Sequence, residues 1–147
     1  MAKFRYRMQN ILNIKEKLEA QEKQNFAAMR LKLTEEENKL EELKQRRDLV
    51  ANEGKQLRNE HIDILKIKEN SALIAYLDES IKSQLLKVKA AEKNLENARA
   101  KMQTAIQERQ IHEKLRENAL NEFLREENAA ELKEVDELTS YRFSERK

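Results

Sequence analysis

Starting at Met29 and stepping alternately by four and three, the chain reads Met29, Leu33, Glu36, Leu40, Leu43, Arg47, Val50, Gly54, Leu57, His61 and Ile64. Most of these positions are apolar, and most of the residues between them are charged or amide. A three–four alternation averages 3.5 residues per repeat and keeps one stripe of a helix facing a partner helix, so the spacing predicts a coiled-coil seam. Toward the N-terminus Phe4, Met8, Ile11, Leu18, Glu22 and Phe26 extend the stripe less regularly, and the spacing from Leu18 to Phe26 reads as a stutter. A second stripe runs through Ile74, Ile81, Leu85, Val88, Leu95, Met102 and Ile106, then loosens through Leu115, Leu120, Phe123, Leu132, Val135 and Leu138.

Between the stripes, Asn70 and Ser71 precede an apolar run and are good helix N-caps. They predict a turn at about 68–71, joining helix one at about 4–67 to helix two at about 72–143, within one elongated domain spanning 1–147. In an antiparallel pair the numbers of facing residues have a constant sum. A sum near 138 sets Val50 against Val88, Leu57 against Ile81, Ile64 against Ile74, Leu43 against Leu95, and Leu18 against Leu120. It also sets Leu40, Leu33 and Arg47 against Ala98, Ala105 and Ala91, bulky against small, as close packing requires. The predicted fold is therefore all-α, a long two-helix antiparallel coiled-coil hairpin. The competing architecture, one continuous helix in a parallel dimer, stacks Glu36, Arg47 and His61 on their own copies, at a cost in stability.

Composition agrees with helix and narrows the chemistry. The 147 residues include no proline and a single glycine, the residues that most often interrupt regular structure. Charged residues make up 39% and aromatics 5%, the balance of a long helix and not of a compact core. The 30 basic and 28 acidic residues are interspersed, so no basic block of the kind that binds nucleic acid is present. There is no cysteine, which removes disulfides and thiolate chemistry. No apolar run approaches the roughly 20 residues that span a bilayer, and the basic N-terminus lacks the apolar region of a signal peptide. One glycine cannot build a phosphate-cradling loop. His61 and His112 lie far apart in sequence, and the carboxylates fall on solvated helix faces, so no catalytic residue, metal site or cofactor is expected, and the chain reads as a binding protein and not an enzyme.

Two groups of residues stand out as binding surfaces. Phe4, Tyr6 and Arg7 at one end, and Tyr141, Arg142 and Phe143 at the other, interleave aromatic and basic side chains of the type favoured at interface hot spots. A hairpin brings both termini to one end. Near the turn, Tyr76, Ser80, Ser83 and Lys87 form an outward stripe at helical spacing.

At this point the chain resembles the FliJ family, the small component of the bacterial flagellar export apparatus. The resemblance rests on Phe4-Arg5-Tyr6-Arg7-Met8 followed by Ile11-Leu12 and Lys15-Glu16, on Ala75-Tyr76-Leu77 with Ile81 and Leu85, and on the closing segment from Glu131 to Leu138. It covers nearly the whole chain. It implies a stalk-like antiparallel coiled coil, similar to the central stalk of rotary ATPases, that takes part in flagellar type III protein export. The implied partners are the hexameric export ATPase FliI, the cytoplasmic domain of the export gate protein FlhA, and export chaperones, with the chain in the cytoplasm and peripheral to the membrane at the flagellar base. By position, Phe4, Tyr6, Arg7, Tyr141 and Arg142 would contact the ATPase ring, and Tyr76, Ser80, Ser83 and Lys87 the gate. The serines, and Arg46 on helix one, depart from the apolar and aromatic character of the family there. The alternatives are a generic coiled-coil scaffold acting as a parallel dimer and a helical holdase chaperone. The stalk reading expects a monomeric hairpin, no nucleic-acid partner and no insertion into the membrane.

Overall fold

The computed structural model describes residues 2–59 and 61–145, so the ends of the predicted 1–147 domain, Met1, Arg146 and Lys147, lie outside the described residues. Two α-helices make up the fold, α1 over Gln9–Asn59 and α2 over Ile64–Glu145, packed antiparallel as a hairpin with no strand among the described residues. No described residue has a positive φ, as a chain rich in good helix formers allows.

The turn lies earlier than 68–71. Asp63 closes it: its Oδ1 accepts from the backbone N–H of Leu65 at 3.1 Å and of Lys66 at 3.4 Å, and its carbonyl accepts from Ile67 N at 3.1 Å. That geometry is an N-cap, satisfying two of the donors a helix start leaves open. Asp63 followed by Ile64-Leu65 is as good a capping signal as Asn70-Ser71, and Asn70 is used elsewhere. His61 and Ile64, expected in the seam, are exposed at the turn. Replacing Asp63 with alanine is expected to cost about 1 kcal/mol, read as a lower urea midpoint by circular dichroism with unchanged native helicity.

The helices group into two compact units, Glu22–Met102 and Met1–Gln21 with Gln103–Lys147. In the first of these the seam expected from Met29 to Leu57 is present, every position buried or half-buried. Its partner positions on α2 are Asn70, Ile74, Leu77, Ile81, Gln84, Val88, Ala91, Leu95, Ala98 and Met102; Leu85, expected there, is more exposed. Leu77 is fully buried, and Val50, Val88, Ala91 and Ala98 are nearly so. The facing pairs are Gly54 with Asn70, Arg47 with Asp78, Glu36 with Gln84 and Phe26 with Arg99. Their numbers add to 120–125, about fourteen below the expected 138. Fourteen residues are two heptads. A heptad seam returns apolar residues to apolar residues at every shift of seven, so the pairing of Val50 with Val88 and the others satisfied the pattern without being the frame adopted. Arg47 consequently meets Asp78 and not Ala91.

Polar side chains occupy this seam too. Gln84 Nε2 donates to the Glu36 carbonyl at 3.0 Å and to the Glu36 carboxylate, both residues being buried. Gln84, then Lys32 at 3.1 Å, hold the Glu36 carboxyl below the usual carboxylate range. Asn70 Nδ2 donates to the Val50 carbonyl at 2.8 Å, across the helix pair.

In the other unit the seam on α1 runs through Leu12, Lys15 and Glu19, in heptad step, with Leu18 more exposed. The stutter read from Leu18 is absent, because charged residues hold the seam positions that the apolar pattern skipped. Lys15 Nζ donates to Glu108 at 2.9 Å, and Arg109 binds both oxygens of Glu19, at 2.6 and 3.2 Å, and Glu113 at 2.8 Å. Glu19, then Glu113, raise the Arg109 pKa, keeping the guanidinium charged throughout. Here ion pairs stand where leucines would, and they fix the frame through specific partners.

Candidate interaction surfaces

The N-terminal aromatic residues are anchored on α2. Phe4 lies with its ring centroid 5.5 Å from that of Phe123, tilted by 50°. The Arg116 guanidinium sits 5.6 Å from the Phe4 centroid while its Nε donates to Gln9 Oε1 at 3.0 Å. This aromatic–cation clamp satisfies the quadrupole of the ring on one side and packs it on the other. Tyr6 is half-buried, its carbonyl accepting from Gln9 N at 3.1 Å at the start of α1, and its hydroxyl is enclosed without a hydrogen-bond partner. Arg7 is exposed.

Tyr141 and Arg142 do not join this clamp. They lie eighteen residues beyond Phe123 on α2, about 27 Å along the helix at 1.5 Å per residue. Every residue over 128–145 is exposed. The positions that continue the α2 seam in heptad step past Phe123 are Glu126, Ala130, Lys133 and Glu137, too polar to carry a seam further. Leu132, Val135, Leu138 and Tyr141 are exposed by 57–65%, with Glu134 and Glu137 beside Leu138 and Tyr141 in a shallow groove. The five residues expected at one tip are therefore divided between an anchored clamp and an exposed helical extension. Phe123 and Arg116, which complete the clamp, were not singled out. Phe123 lies in the second apolar stripe, but only the register shows that it meets Phe4.

Of the second group, Tyr76, Ser83 and Lys87 are exposed and Ser80 is half-buried, each one position before a seam residue of α2, so the four share one edge of the seam. The structure adds α1 residues: Arg46, which the sequence analysis placed on this face, and Lys32 and Lys39, which it missed. Lys39 and Arg46 line a groove with Glu42, Leu43 and Gln84, and Lys32 and Lys39 line the next one with Met29, Lys87, Ala90 and Asn94. Lys32, Lys39 and Arg46 are spaced by seven, so one heptad position of α1 is basic along this edge, a signal that was available in the sequence. Together the two helices present a shallow face lined by Lys32, Lys39, Arg46 and Lys87, with Glu36 and Glu42 among them.

His61 stands at the turn and His112 in the seam of the terminal unit. Among the described residues no group of three or more His, Cys, Asp and Glu is placed to hold a metal ion, and no helix is long and apolar enough to cross a membrane.

The sequence model of the family described as flagellar FliJ protein matches residues 4–147. The chain belongs to the FliJ family. Its fold is also similar to the solved structure of a YscO homolog, CT670, from Chlamydia trachomatis, with 28% identity, a TM-score of 0.79 and 99% of each chain covered. No curated protein matches. FliJ-family membership and the YscO-like structure make this chain a component of a type III secretion or flagellar export apparatus.

Proposed function

We propose that this FliJ-family protein is a stalk-like coupling factor that engages the hexameric export ATPase at its terminal end and the cytoplasmic domain of the export gate along its Tyr76 edge. The observation that carries the reading is the exposed extension of α2, where Leu132, Val135, Leu138 and Tyr141 stand uncovered on a helix alternating with acidic residues. Uncovered aliphatic and aromatic side chains on a regular helix are suited to a partner that surrounds them. The Phe4 clamp fixes the N-terminal segment beside the base of that extension. Tyr141 and Arg142 on the extension, with Phe4, Tyr6 and Arg7 at its base, form the ring contact. Tyr76, Ser80, Ser83 and Lys87, flanked by Lys39 and Arg46, form the gate contact. The protein acts by biasing the conformations of the ring subunits through differential contact, and hydrolyses nothing itself. It works as a monomeric hairpin at the cytoplasmic face of the membrane, with export chaperones as further partners.

The test is the turnover of a purified flagellar export ATPase titrated with the full chain, with a variant lacking residues 1–7, and with one ending at residue 127. Stimulation by the full chain is expected to fall severalfold for the first variant and to background for the second. An active, assembled ATPase unaffected by the full chain would overturn the reading. A dimer in sedimentation would favour a scaffold, and suppression of client aggregation without the ATPase a holdase.

A further inference from the structure

Seam positions on α1 from Phe26 to Leu57, and on α2 from Asn70 to Met102, repeat every seven residues without interruption. Displacing α2 along α1 by seven residues therefore returns every seam residue to a seam position. In the Glu22–Met102 unit, such a shift sets Leu57 against Ile74, Val50 against Ile81 and Leu43 against Val88, apolar against apolar, with Glu36 against Leu95 and Arg47 against Gln84. It also brings Leu77, which is fully buried, opposite Gly54, which has no side chain to displace. In the terminal unit, taken by itself, the same shift sets Leu12 against Ala119 and His112 against Glu19. In the observed frame His112 Nδ1 is enclosed without a hydrogen-bond partner, and the shifted frame gives it a carboxylate.

In the Glu22–Met102 unit, what distinguishes the frames is polar. In the observed one Asn70 fills the space beside Gly54 and donates to the Val50 carbonyl at 2.8 Å, Gln84 donates to the Glu36 carbonyl at 3.0 Å, and Asp63 caps α2. The shift breaks the first two bonds and the Arg47–Asp78 pair and moves the turn past Asp63; in the terminal unit, taken by itself, it also breaks the Lys15–Glu108 and Arg109–Glu19 pairs and the Phe4–Phe123 packing. It keeps the layers of Leu57, Val50 and Leu43 apolar.

We propose that α2 slides along α1 by one heptad, about 10 Å, between the observed frame and a second one, and that Asn70 and Gln84 are catches that hold the first in the Glu22–Met102 unit. In the terminal unit the slide moves the extension over 128–145 by the same distance relative to Phe4 and Tyr6. In the other unit it changes which α1 residues flank Tyr76, Ser80, Ser83 and Lys87. Displacements of this kind are ones helices make in microseconds to milliseconds. The slide follows from the seams alone and does not depend on which partners bind.

The chain has no cysteine, so engineered pairs report the frame directly. In the full-length protein, Val50→Cys with Ile74→Cys reads the observed frame and Val50→Cys with Ile81→Cys the shifted one. Val50→Cys with Leu86→Cys is the control, Leu86 being 68% exposed on another face. Under oxidation in dilute protein, the first pair is expected to close fast and the second slowly but above the control. Adding Asn70→Ala and Gln84→Ala is expected to speed closure of the second pair at least about tenfold, as losing two hydrogen-bonded side chains implies. If circular dichroism shows the double variant unfolded, Asn70→Ala alone is used, with about fivefold expected. A second pair closing no faster than the control, with and without the catches, while the first pair closes normally, overturns the proposal.

Discussion

Replacing Leu77 with alanine is expected to destabilise the hairpin by about 3 kcal/mol, within the roughly 2–5 kcal/mol that emptying a buried leucine site costs. Leu77 is the one described large side chain with no solvent exposure, and it lies in the layer of Arg47, whose guanidinium is turned outward onto Asp78. Two helices have few ways to close a cavity, since each layer holds only two seam residues and their flanking neighbours, so little of the loss is recovered by relaxation. With an m-value of about 2 kcal/mol/M, the urea midpoint followed by circular dichroism falls by about 1.5 M. The contrasting variant is Leu86→Ala: Leu86 is nine residues on, 68% exposed, and its loss is expected to change stability by less than about 0.5 kcal/mol. Equal effects at the two sites would mean that the seam does not run through Leu77.

The second large effect is a reversal of sign. In an ordinary helix Gly→Ala gains about 1 kcal/mol. At Gly54 a Cβ would collide with the carboxamide oxygen of Asn70 and lie 3.0 Å from its Cγ. Asn70 cannot swing aside without giving up its bond to the Val50 carbonyl. Gly54→Ala is therefore expected to destabilise by about 1 kcal/mol, the lost hydrogen bond and the crowding outweighing the gain in propensity. In the background of Asn70→Ala the same substitution is expected to stabilise by about 1 kcal/mol, since the collision is gone and only propensity remains. The coupling across the cycle is then about 2 kcal/mol, measured from four urea curves. Additive effects would show that Asn70 and Gly54 do not share the layer.

The same pair shows where the sequence could be read and where it could not. The seam of α1 from Met29 to Leu57 was legible because its apolar residues keep heptad step and the intervening residues are charged. The antiparallel hairpin followed, since bulky residues on one helix find alanines on the other. Register did not follow, because apolar matching is unchanged by shifts of seven, and the choice rests on polar contacts that hydropathy discards. Asn70 reads as a cap from its neighbours alone; its use across the seam depends on the absence of a side chain sixteen residues earlier, at Gly54. In the terminal unit Lys15, Glu19 and Arg109 occupy seam positions as charges, and a pattern built on leucines stepped over them to Leu18. The surfaces were legible by residue type, through Tyr6, Tyr76 and Tyr141, but their grouping was not. Which aromatic meets which is again a question of register, and the frame sends Phe4 to Phe123, eighteen residues short of Tyr141.

The exposed segment over 128–145 has one more consequence. A helix of eighteen residues is near the limit of what stands alone in water, because starting the first turn is the costly step. Here that step is already taken, since α2 is wound continuously from Ile64 and the segment only propagates it. A partner that closes around Leu132, Val135 and Leu138 thus receives a ligand whose ordering entropy has largely been spent elsewhere in the chain. Under the proposed ring contact, the binding free energy is then not spent on winding the helix, so a given contact area holds more tightly than it would on a segment that had to order first.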